Sequence, residues 1–219
     1  PLSAIYFSPE DLSLVKGEPA QRRSFLDQIF LQIRPSQYKF LQNYYRVLSQ
    51  RNALLKDIRK RVSPASTLDP WDEQLAQLGS ALLTYRIEIL NKVSNICKDY
   101  YKNTLGNKNK VELVYKNSFG DRGDRVNEES FLALLQDRRG QDIARSHTTI
   151  GPHRDDVDLF IDDKLAKTFA SQGQQRLLAL TMRFAQREIL KKESGQEPIL
   201  LLDDLMSELD LYRRKSVLE

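Results

Sequence analysis

The chain has 219 residues and a mass of 25.4 kDa, enough for one large domain or two lobes with a substantial core. With 40% hydrophobic and 29% charged residues, a mean hydropathy of -0.53 and no apolar run of ~18 residues, the composition excludes a membrane-spanning protein and argues against disorder. The net charge is only +4, but 13 basic and 6 acidic residues between Pro35 and Lys110 give that segment +7. This local excess predicts an anionic partner for the middle of the chain.

The single cysteine and the first residue give two further expectations. Cys97 cannot form an internal disulfide, and no charged-then-apolar leader opens the sequence, so we expect a reducing, cytoplasmic setting. The first residue is Pro1 rather than Met, and we therefore expect a piece of a longer protein.

The first half of the chain predicts one strand and three helices. A short apolar run over 3–7 is typical of a strand, and Pro19 stands at the first position of a predicted helix. The segment 36–63 contains neither Gly nor Pro, and Asp69 with Pro70 opens another helix that runs towards Leu105. Because both long helices have apolar residues at helical spacing, we expect them to pack as an antiparallel hairpin.

The second half predicts shorter elements. The alternation over 111–115 indicates a strand, and the segment 127–139 is a predicted helix, capped at Asn127 and closed by Gly140. The segment 157–169 is typical of two strands around an Asp162-Asp163 turn. A further helix is predicted from just after Gly173 to about Lys192.

The last predicted strand, Ile199–Leu202, is a continuous apolar run, which favours a strand buried on both faces of a largely parallel sheet. We expect it to pair with the strand over 3–7 or to be poorly ordered. It is followed by Asp203 and Asp204, and carboxylates at this end of a buried parallel strand suit Mg²⁺ beside a phosphate. Asp203 would support the metal, and Asp204 would orient or deprotonate a water. The alternative is two ordinary acids that cap the next turn.

A second candidate site is the segment 171–176, which reads Ser-Gln-Gly-Gln-Gln-Arg and directly precedes an amphipathic helix. The hydroxyl of Ser171, the bare backbone of Gly173 and the N–H groups of the helix N-terminus predict an anion site. The alternative is a plain N-cap serine in a solvated loop.

These two segments resemble the signature motif, the Walker B motif and the D-loop of ABC-type ATPase heads. A closer resemblance is to the RecF family of DNA replication and repair proteins. It rests on four motifs in a fixed order, which cover nearly the whole chain: Phe-Ser-Pro-Glu-Asp-Leu at 7–12, Gly-Glu-Pro with Arg-Arg and Phe-Leu-Asp at 17–27, Gly-Pro-His-Arg-Asp-Asp at 151–156, and Ser171 to Arg176.

The resemblance implies that two protomers sandwich ATP. The signature residues would contact nucleotide held by the partner protomer, whereas Asp203 (Mg²⁺) and Asp204 (catalytic) would serve nucleotide in their own protomer. The implied signature set is Ser171, Gln172, Gly173, Gln174 and Gln175, and the implied D-loop residues are Ser207 and Asp210. ABC heads usually have Glu in place of Asp204 and often Gly in place of Gln172. The shorter carboxylate predicts slow hydrolysis, with ATP acting as a dimerisation switch.

The glycine positions exclude the pattern G-x-x-x-x-G-K-[ST], so the sequence contains no P-loop. No histidine follows the D-loop, since His147 and His153 both precede the signature segment. We therefore expect an α+β fragment that lacks the Walker A region and binds ATP weakly or not at all by itself. The predicted parts are a mainly helical lobe II at 1–195, divided into entry strand and helix at 1–34, helical hairpin at 35–106 and a small α/β region at 107–195, and an incomplete lobe I at 196–219.

A basic cluster at the end of the first long helix is a weaker candidate for DNA binding. It comprises Arg51, Lys56, Arg59, Lys60 and Arg61. A charge run of this kind is more often a solvated helix face. The resemblance implies DNA binding by an ATP-dependent homodimer at gapped or stalled-replication DNA, with RecR as partner and RecO and RecA in the same pathway.

Two alternatives stay open. One is an interaction module that binds RecR or DNA without nucleotide, and the other is a metal-dependent hydrolase built on Asp203 and Asp204. His153, beside two aspartates, lacks the second histidine or cysteine that a zinc site needs. Cys97 lies close to the apolar seam of its predicted helix, which favours a core residue over a nucleophile.

Overall fold

The computed structural model describes residues 4–101, 109–119, 126–195 and 197–202. The chain divides into two compact units. The described parts of the first unit are 4–33, 87–101, 109–115, 156–195 and 197–202, and those of the second are 34–86, 116–119 and 126–155. The predicted lobe boundaries stay a prediction. None of the described helices is both long enough and apolar enough to cross a membrane.

The first unit begins with strand β1 (Ala4–Phe7), a 3-10 turn (Pro9–Leu12) and the one-turn helix α1 (Ser13–Lys16). Helix α2 (Pro19–Ile33) begins at a proline, as predicted. The N–H groups of the first turn of a helix have no acceptor within the helix, so the lack of an N–H at Pro19 costs no hydrogen bond. Its apolar face is buried through Leu26, Ile29 and Phe30.

The second unit begins with a 3-10 turn (Pro35–Gln37) and helix α3 (Tyr38–Arg59). A further 3-10 turn (Ala65–Leu68) leads into helix α4 (Asp69–Asp99). Phe40 of α3 lies edge-on to Tyr85 of α4, with ring centroids 5.8 Å apart, whereas Arg51 bonds Asp72 near the start of α4. The contacts run in opposite directions along the two helices, so the predicted antiparallel hairpin is confirmed.

Helix α5 (Glu128–Arg145) packs on α3 and differs from its predicted length. The predicted cap is present, since Asn127 Oδ1 accepts from the Ser130 N–H at 2.8 Å. The predicted end at Gly140 is wrong: the helix continues to Arg145, and its C-cap Ser146 has a left-handed φ of 58°. Gly140 lies in the helix interior, and the turn beyond it positions Asp142, which is fully buried and ion-paired with Arg51.

A three-stranded sheet is formed by β2 (Val111–Lys116), β3 (Asp156–Ile161) and β4 (Lys164–Leu165), in that order. The predicted turn is confirmed, because β3 and β4 pair antiparallel through Phe160 and Leu165 around Asp162 and Asp163. Both turn residues have positive φ, 50° and 61°, as a two-residue hairpin of this twist requires. The Asp162 carboxylate accepts from the Lys110 N–H at 2.8 Å, and this bond lowers its pKa.

The segment after β4 is helical rather than extended. The one-turn helix α6 (Ala166–Phe169) replaces the second half of the predicted strand pair. The buried Gln175 side chain donates Nε2–H to the carbonyl of Ala166 at 2.9 Å, a tertiary contact that strand propensity does not contain. Helix α7 (Gln172–Ser194) follows and ends at Gly195, whose φ is 68°.

Strand β5 (Ile199–Leu202) pairs parallel with β1, with Ala4 opposite Ile199, so the predicted pairing is confirmed. Helix α7 lies against β1, and Ile5 and Phe7 are buried. The expected burial on both faces is not found among the described residues, since Tyr6, Ile199 and Leu201 are 53%, 43% and 50% exposed. The apolar run at 199–202 predicts that both faces of this two-stranded sheet are covered. In the described part of the chain, only one face is.

Candidate functional site

The candidate anion site lies at the N-terminus of α7. Ser171 is the N-cap: its Oγ accepts from the Gln174 N–H at 3.3 Å, and its own N–H donates to Gln174 Oε1 at 2.9 Å. This reciprocal pair is a capping box, which satisfies two donors that a helix start otherwise leaves open. The helix that follows has 23 residues, so its aligned peptide dipoles place a partial positive charge at this end.

The first turn of α7 leaves two backbone donors for an external acceptor. The N–H of Gln174 is used by Ser171 Oγ, and that of Gln175 donates to the Ser171 carbonyl at 3.0 Å. In the described part of the chain, the N–H groups of Gln172 and Gly173 remain without such a partner. Ser171, Gln172 and Gly173 are all exposed. A side chain added at Gly173 would meet nothing within 4 Å, so packing does not require glycine there and the space is open.

Gln175 does not join this group, which corrects the implied nucleotide contact of that residue. Its side chain is buried, and Nε2 donates to the carbonyls of Ala166 and Lys167 at 2.9 and 3.4 Å. Its Oε1 has no hydrogen-bond partner among the described residues. Gln175 therefore holds α6 against α7 and positions the loop that ends at Ser171. The Gln174 side chain is likewise occupied by the capping box.

Arg183 of α7 contacts residues of the first two sequence motifs. Asp11 of the first motif binds Arg183 of α7 at 2.5 Å, and its other oxygen accepts from the Ser8 N–H at 3.0 Å. The Arg183 guanidinium also lies over the Phe25 ring, 5.4 Å from the centroid. These contacts fix the helix that begins at the candidate anion site to the segment that follows β1.

A second contact joins Arg22 of the second motif to Asp156 of the motif at 151–156. Arg22 donates Nε–H and Nη2–H to the two carboxylate oxygens of Asp156 at 2.7 and 3.0 Å. It also donates to the carbonyl of Gly17 at 2.9 Å. Arg22 is buried, so this bidentate pair is a structural clamp rather than a ligand site.

His153 lies in the second unit within a network of hydrogen bonds. Its Nδ1 is 2.9 Å from the Tyr44 hydroxyl, and its Nε2 is 3.2 Å from the Thr148 carbonyl. Because a carbonyl only accepts, the Nε2 carries the proton and Nδ1 accepts from Tyr44. Burial raises the pKa of Tyr44, so this hydroxyl stays protonated. Among the described residues, no group of three histidine, cysteine or acidic side chains is placed to hold a metal ion.

The basic cluster at the end of α3 divides into one buried and four exposed residues. Arg51 is 0% exposed and forms ion pairs with Asp72 and Asp142 at 2.6 and 2.7 Å. Its predicted contact with DNA is therefore wrong, because no phosphate reaches a side chain that is enclosed and paired. Lys56, Arg59, Lys60 and Arg61 are exposed.

Sequence reasoning missed two features of this region. Arg59 donates to Ser146 Oγ at 3.1 Å, and this contact brings the C-terminal end of α5, which carries the exposed Arg145, next to Arg59. No sequence signal brings Arg145 there, since it is about ninety residues away along the chain. Arg51 did have a signal: it follows Tyr44 and Leu48 at helical spacing, so it falls on the buried face.

The other predicted residues, Asp203, Asp204, Ser207 and Asp210, lie outside the described residues. The proposed metal and catalytic roles of these carboxylates therefore stay predictions.

No family model matches the chain. Curated proteins do: "DNA replication and repair protein RecF" of Heliobacterium modesticaldum is 42% identical over 218 residues, and that of Natranaerobius thermophilus is 40% identical over 225 residues. Each match covers 99% of this chain but only 59% and 58% of the relative, respectively. The resemblance to the RecF family is confirmed.

Solved RecF structures agree with this result. A structure of the recombination mediator protein RecF-ATPrS in the RecFOR pathway superposes with a TM-score of 0.89 at 34% identity, and one of RecF-ATP with 0.90 at 33%. Both comparisons cover 99% of this chain and 59% and 58% of the RecF chains. The predicted fold class, mainly helical with a long antiparallel hairpin and short strands, is confirmed. This chain spans a little less than two thirds of the RecF proteins it matches.

Cys97 yields a first prediction. It is the single cysteine, it is fully buried, and burial raises the pKa of its thiol. A thiol-specific reagent such as DTNB attacks only the exposed thiolate, so we expect no reaction with the native chain at pH 8 over an hour. In guanidinium chloride we expect one equivalent to react within minutes. Rapid reaction of the native chain would show that Cys97 is accessible.

Proposed function

We propose that this chain is the signature-bearing part of a RecF-type ATPase head, a recombination mediator that binds DNA at gaps and stalled replication sites under the control of ATP. The observation on which this rests is the exposed, capped N-terminus of α7, where the N–H groups of Gln172 and Gly173 have no acceptor among the described residues. The RecF structures described with ATP and ATPrS support the choice of nucleotide.

The site fits a phosphate better than another anion. Phosphate oxygens only accept hydrogen bonds, and the helix N-terminus offers a cluster of donors with a favourable dipole. The bare Gly173 backbone allows an oxygen to approach without a side chain in the way. One such turn holds only one end of a triphosphate, and the chain has no P-loop to hold the rest.

The resemblance to ABC-type ATPase heads favours binding between two protomers. The P-loop of one protomer would hold ATP, and Ser171 and Gly173 of the other would close on its γ-phosphate. ATP would then stabilise the dimer, because both subunits contact it only in the closed state. Asp203 is suited to support Mg²⁺ and Asp204 to orient a water, since both are hard oxygen donors. With Asp at 204, we expect hydrolysis to be slow and the nucleotide to act as a switch.

The exposed basic cluster is the proposed contact with DNA. The ammonium and guanidinium groups of this cluster can contact DNA phosphates; its members are Lys56, Arg59, Lys60 and Arg61. Such binding depends on the salt concentration rather than on the DNA sequence. As partners of the whole protein we propose a second copy of itself and RecR, with RecO and RecA in the same pathway. We place this activity in the cytoplasm.

The test uses the full-length protein. Self-association, followed by analytical ultracentrifugation, and binding to gapped duplex DNA, followed by fluorescence anisotropy, are measured with and without ATP and Mg²⁺. We expect both to increase at least about tenfold with ATP. Dimerisation and DNA binding that ignore nucleotide would overturn the proposal and favour a nucleotide-independent module that binds RecR or DNA.

A second measurement concerns the chain itself. Isothermal titration calorimetry of residues 1–219 with ATP and Mg²⁺ is expected to give a dissociation constant in the millimolar range or no detectable heat, because the P-loop is missing. Tight, stoichiometric binding would contradict the proposed division of the site between two protomers.

A further inference from the structure

A groove runs along α3 in the second unit, with a volume of about 510 Å³. Its polar lining consists of Tyr45, Ser49, Asn52, Lys56 and Lys60, together with Asp57. We call it the α3 groove. The first five residues are spaced 4, 3, 4 and 4 along the helix and therefore lie on one face. At 1.5 Å per residue, that polar stripe is roughly 22 Å long.

Within the α3 groove, the Asn52 amide can donate hydrogen bonds to a ligand but has no acceptor left for one. Its Oδ1 accepts from both the N–H and the Oγ1–H of Thr148, each at 2.8 Å. Because a backbone N–H only donates, this contact fixes which end of the amide is the oxygen. The two N–H bonds of Asn52 Nδ2 are what remain for a ligand.

Tyr45 has the same property. Its hydroxyl oxygen accepts from Nη2 of the buried Arg86 at 3.3 Å. The hydroxyl proton is therefore free to point elsewhere, and the Tyr45 side chain is 41% exposed. Lys56 and Lys60 add two ammonium groups, which only donate. Asp57 is the one carboxylate in the lining, and the charged side chains of the α3 groove sum to +1.

We infer that the α3 groove seats the phosphodiester backbone of a nucleic acid strand, which runs along α3 from the exposed cluster at Lys60 towards Tyr45. This inference rests on the proposed DNA binding and extends it by about four helical turns. A phosphodiester backbone presents acceptors throughout and no donors, which matches this lining everywhere except at Asp57. An acidic peptide brings one backbone N–H for nearly every carbonyl, and these donors would face Lys56, Asn52 and Tyr45 without acceptors.

The test uses full-length protein with ATP and a fluorescent gapped duplex. Asn52→Asp keeps the oxygen that Thr148 needs, but it replaces the two donors with a second oxygen and a negative charge. We expect it to weaken DNA binding about tenfold or more, because a donor is lost and like charges are brought together. Lys56→Gln is expected to weaken binding and to reduce the slope of log affinity against log salt by about 1.

The matched control is Lys39→Gln. Lys39 lies on the same helix and is exposed, but it is outside the α3 groove. The substitution removes the same charge, and we expect affinity within about twofold of the wild type, since a single charge away from the site is largely screened. Ser49→Glu, at an exposed position of the α3 groove, is the second test if Asn52→Asp lowers the unfolding temperature.

The outcomes separate the two proposals. If the wild type does not bind DNA with ATP, the proposed function fails. If it binds and Ser49→Glu and Asn52→Asp bind equally well, only the inference about the α3 groove is overturned. Loss of RecR binding with unchanged DNA binding would also overturn it and would assign the α3 groove to a protein segment.

Discussion

Replacement of Ser171 by arginine is expected to abolish ATP-dependent dimerisation of the full-length protein while the chain stays folded. The arginine side chain would occupy the open space in front of Gly173 and place a cation at the positive end of α7. A symmetric dimer contains two such contacts, and a charge-assisted hydrogen bond contributes about 1.5–3 kcal/mol. Loss of both predicts a dimer at least about 100-fold weaker with ATP, measured by analytical ultracentrifugation.

The matched control is Asn127→Arg at the start of α5. Asn127 is also an exposed N-cap, and it forms the same reciprocal capping box with Ser130. Both substitutions should lower the free energy of unfolding by about 0.5–2 kcal/mol, because both remove a cap. Only the change at Ser171 should affect the dimer. Equal dimerisation of the two variants would show that the N-terminus of α7 does not meet nucleotide.

Gly173→Ala tests the same site from the opposite direction. In the described structure the added methyl group contacts nothing, and alanine favours the helix by about 1 kcal/mol relative to glycine. The free chain should therefore be unchanged or slightly more stable to urea. If a phosphate approaches the Gly173 backbone, the same methyl group weakens the ATP-dependent dimer. A stability gain without loss of dimerisation would remove Gly173 from the site.

The sequence predicts best those features that depend on neighbouring residues. The cap at Asn127, the start of α2 at Pro19 and the Asp162-Asp163 turn are all local, and all are present. The pairing of β1 with β5 is one of the two outcomes expected for the apolar run 199–202, because an unpaired strand exposes its backbone edge. The helix start beside Ser171 is local in the same way, since a hydroxyl, a glycine and the first helical turn lie within three residues. Anion binding there stays a proposal.

The features that could not be predicted depend on distant partners. Gly140 is a common helix end, but α5 continues because Asp142 is needed one half-turn later for the buried ion pair. The motif places Gln175 among the signature residues, whereas its side chain faces inward to the carbonyls of α6. For Arg51 two sequence signals disagree. Its residue type predicts an exposed side chain, whereas its helical spacing from Tyr44 and Leu48 predicts a buried one, and the buried position is the one observed.

Replacement of Arg51 by methionine is expected to destabilise the chain by about 3–5 kcal/mol, because it leaves a buried charge uncompensated. Arg51 donates to Asp72, Asp142 and Thr148 Oγ1 over 2.6–2.8 Å. Asp72 retains Arg139 at 2.6 Å, but among the described residues Asp142 keeps only the N–H and hydroxyl of Thr149. The measurement is the free energy of unfolding from urea denaturation.

A double variant separates the charge from the packing. If the cost arises from the unpaired carboxylate, Arg51→Met combined with Asp142→Leu should recover part of the loss, with a coupling energy of about 0.5–3 kcal/mol. Apolar side chains of similar volume can replace a buried ion pair at little cost. If the two losses simply add, the methionine variant fails through packing instead.

Arg59→Met is the control, since it makes the same change eight residues further along α3 at an exposed position. It should change the free energy of unfolding by less than about 0.5 kcal/mol. For DNA affinity we expect the opposite ranking of the two variants. At a temperature where both are folded, Arg59→Met weakens DNA binding and Arg51→Met does not. A loss of DNA affinity in a stable Arg51→Met protein would mean that Arg51 reaches solvent and that the surface assignment made from its residue type was correct.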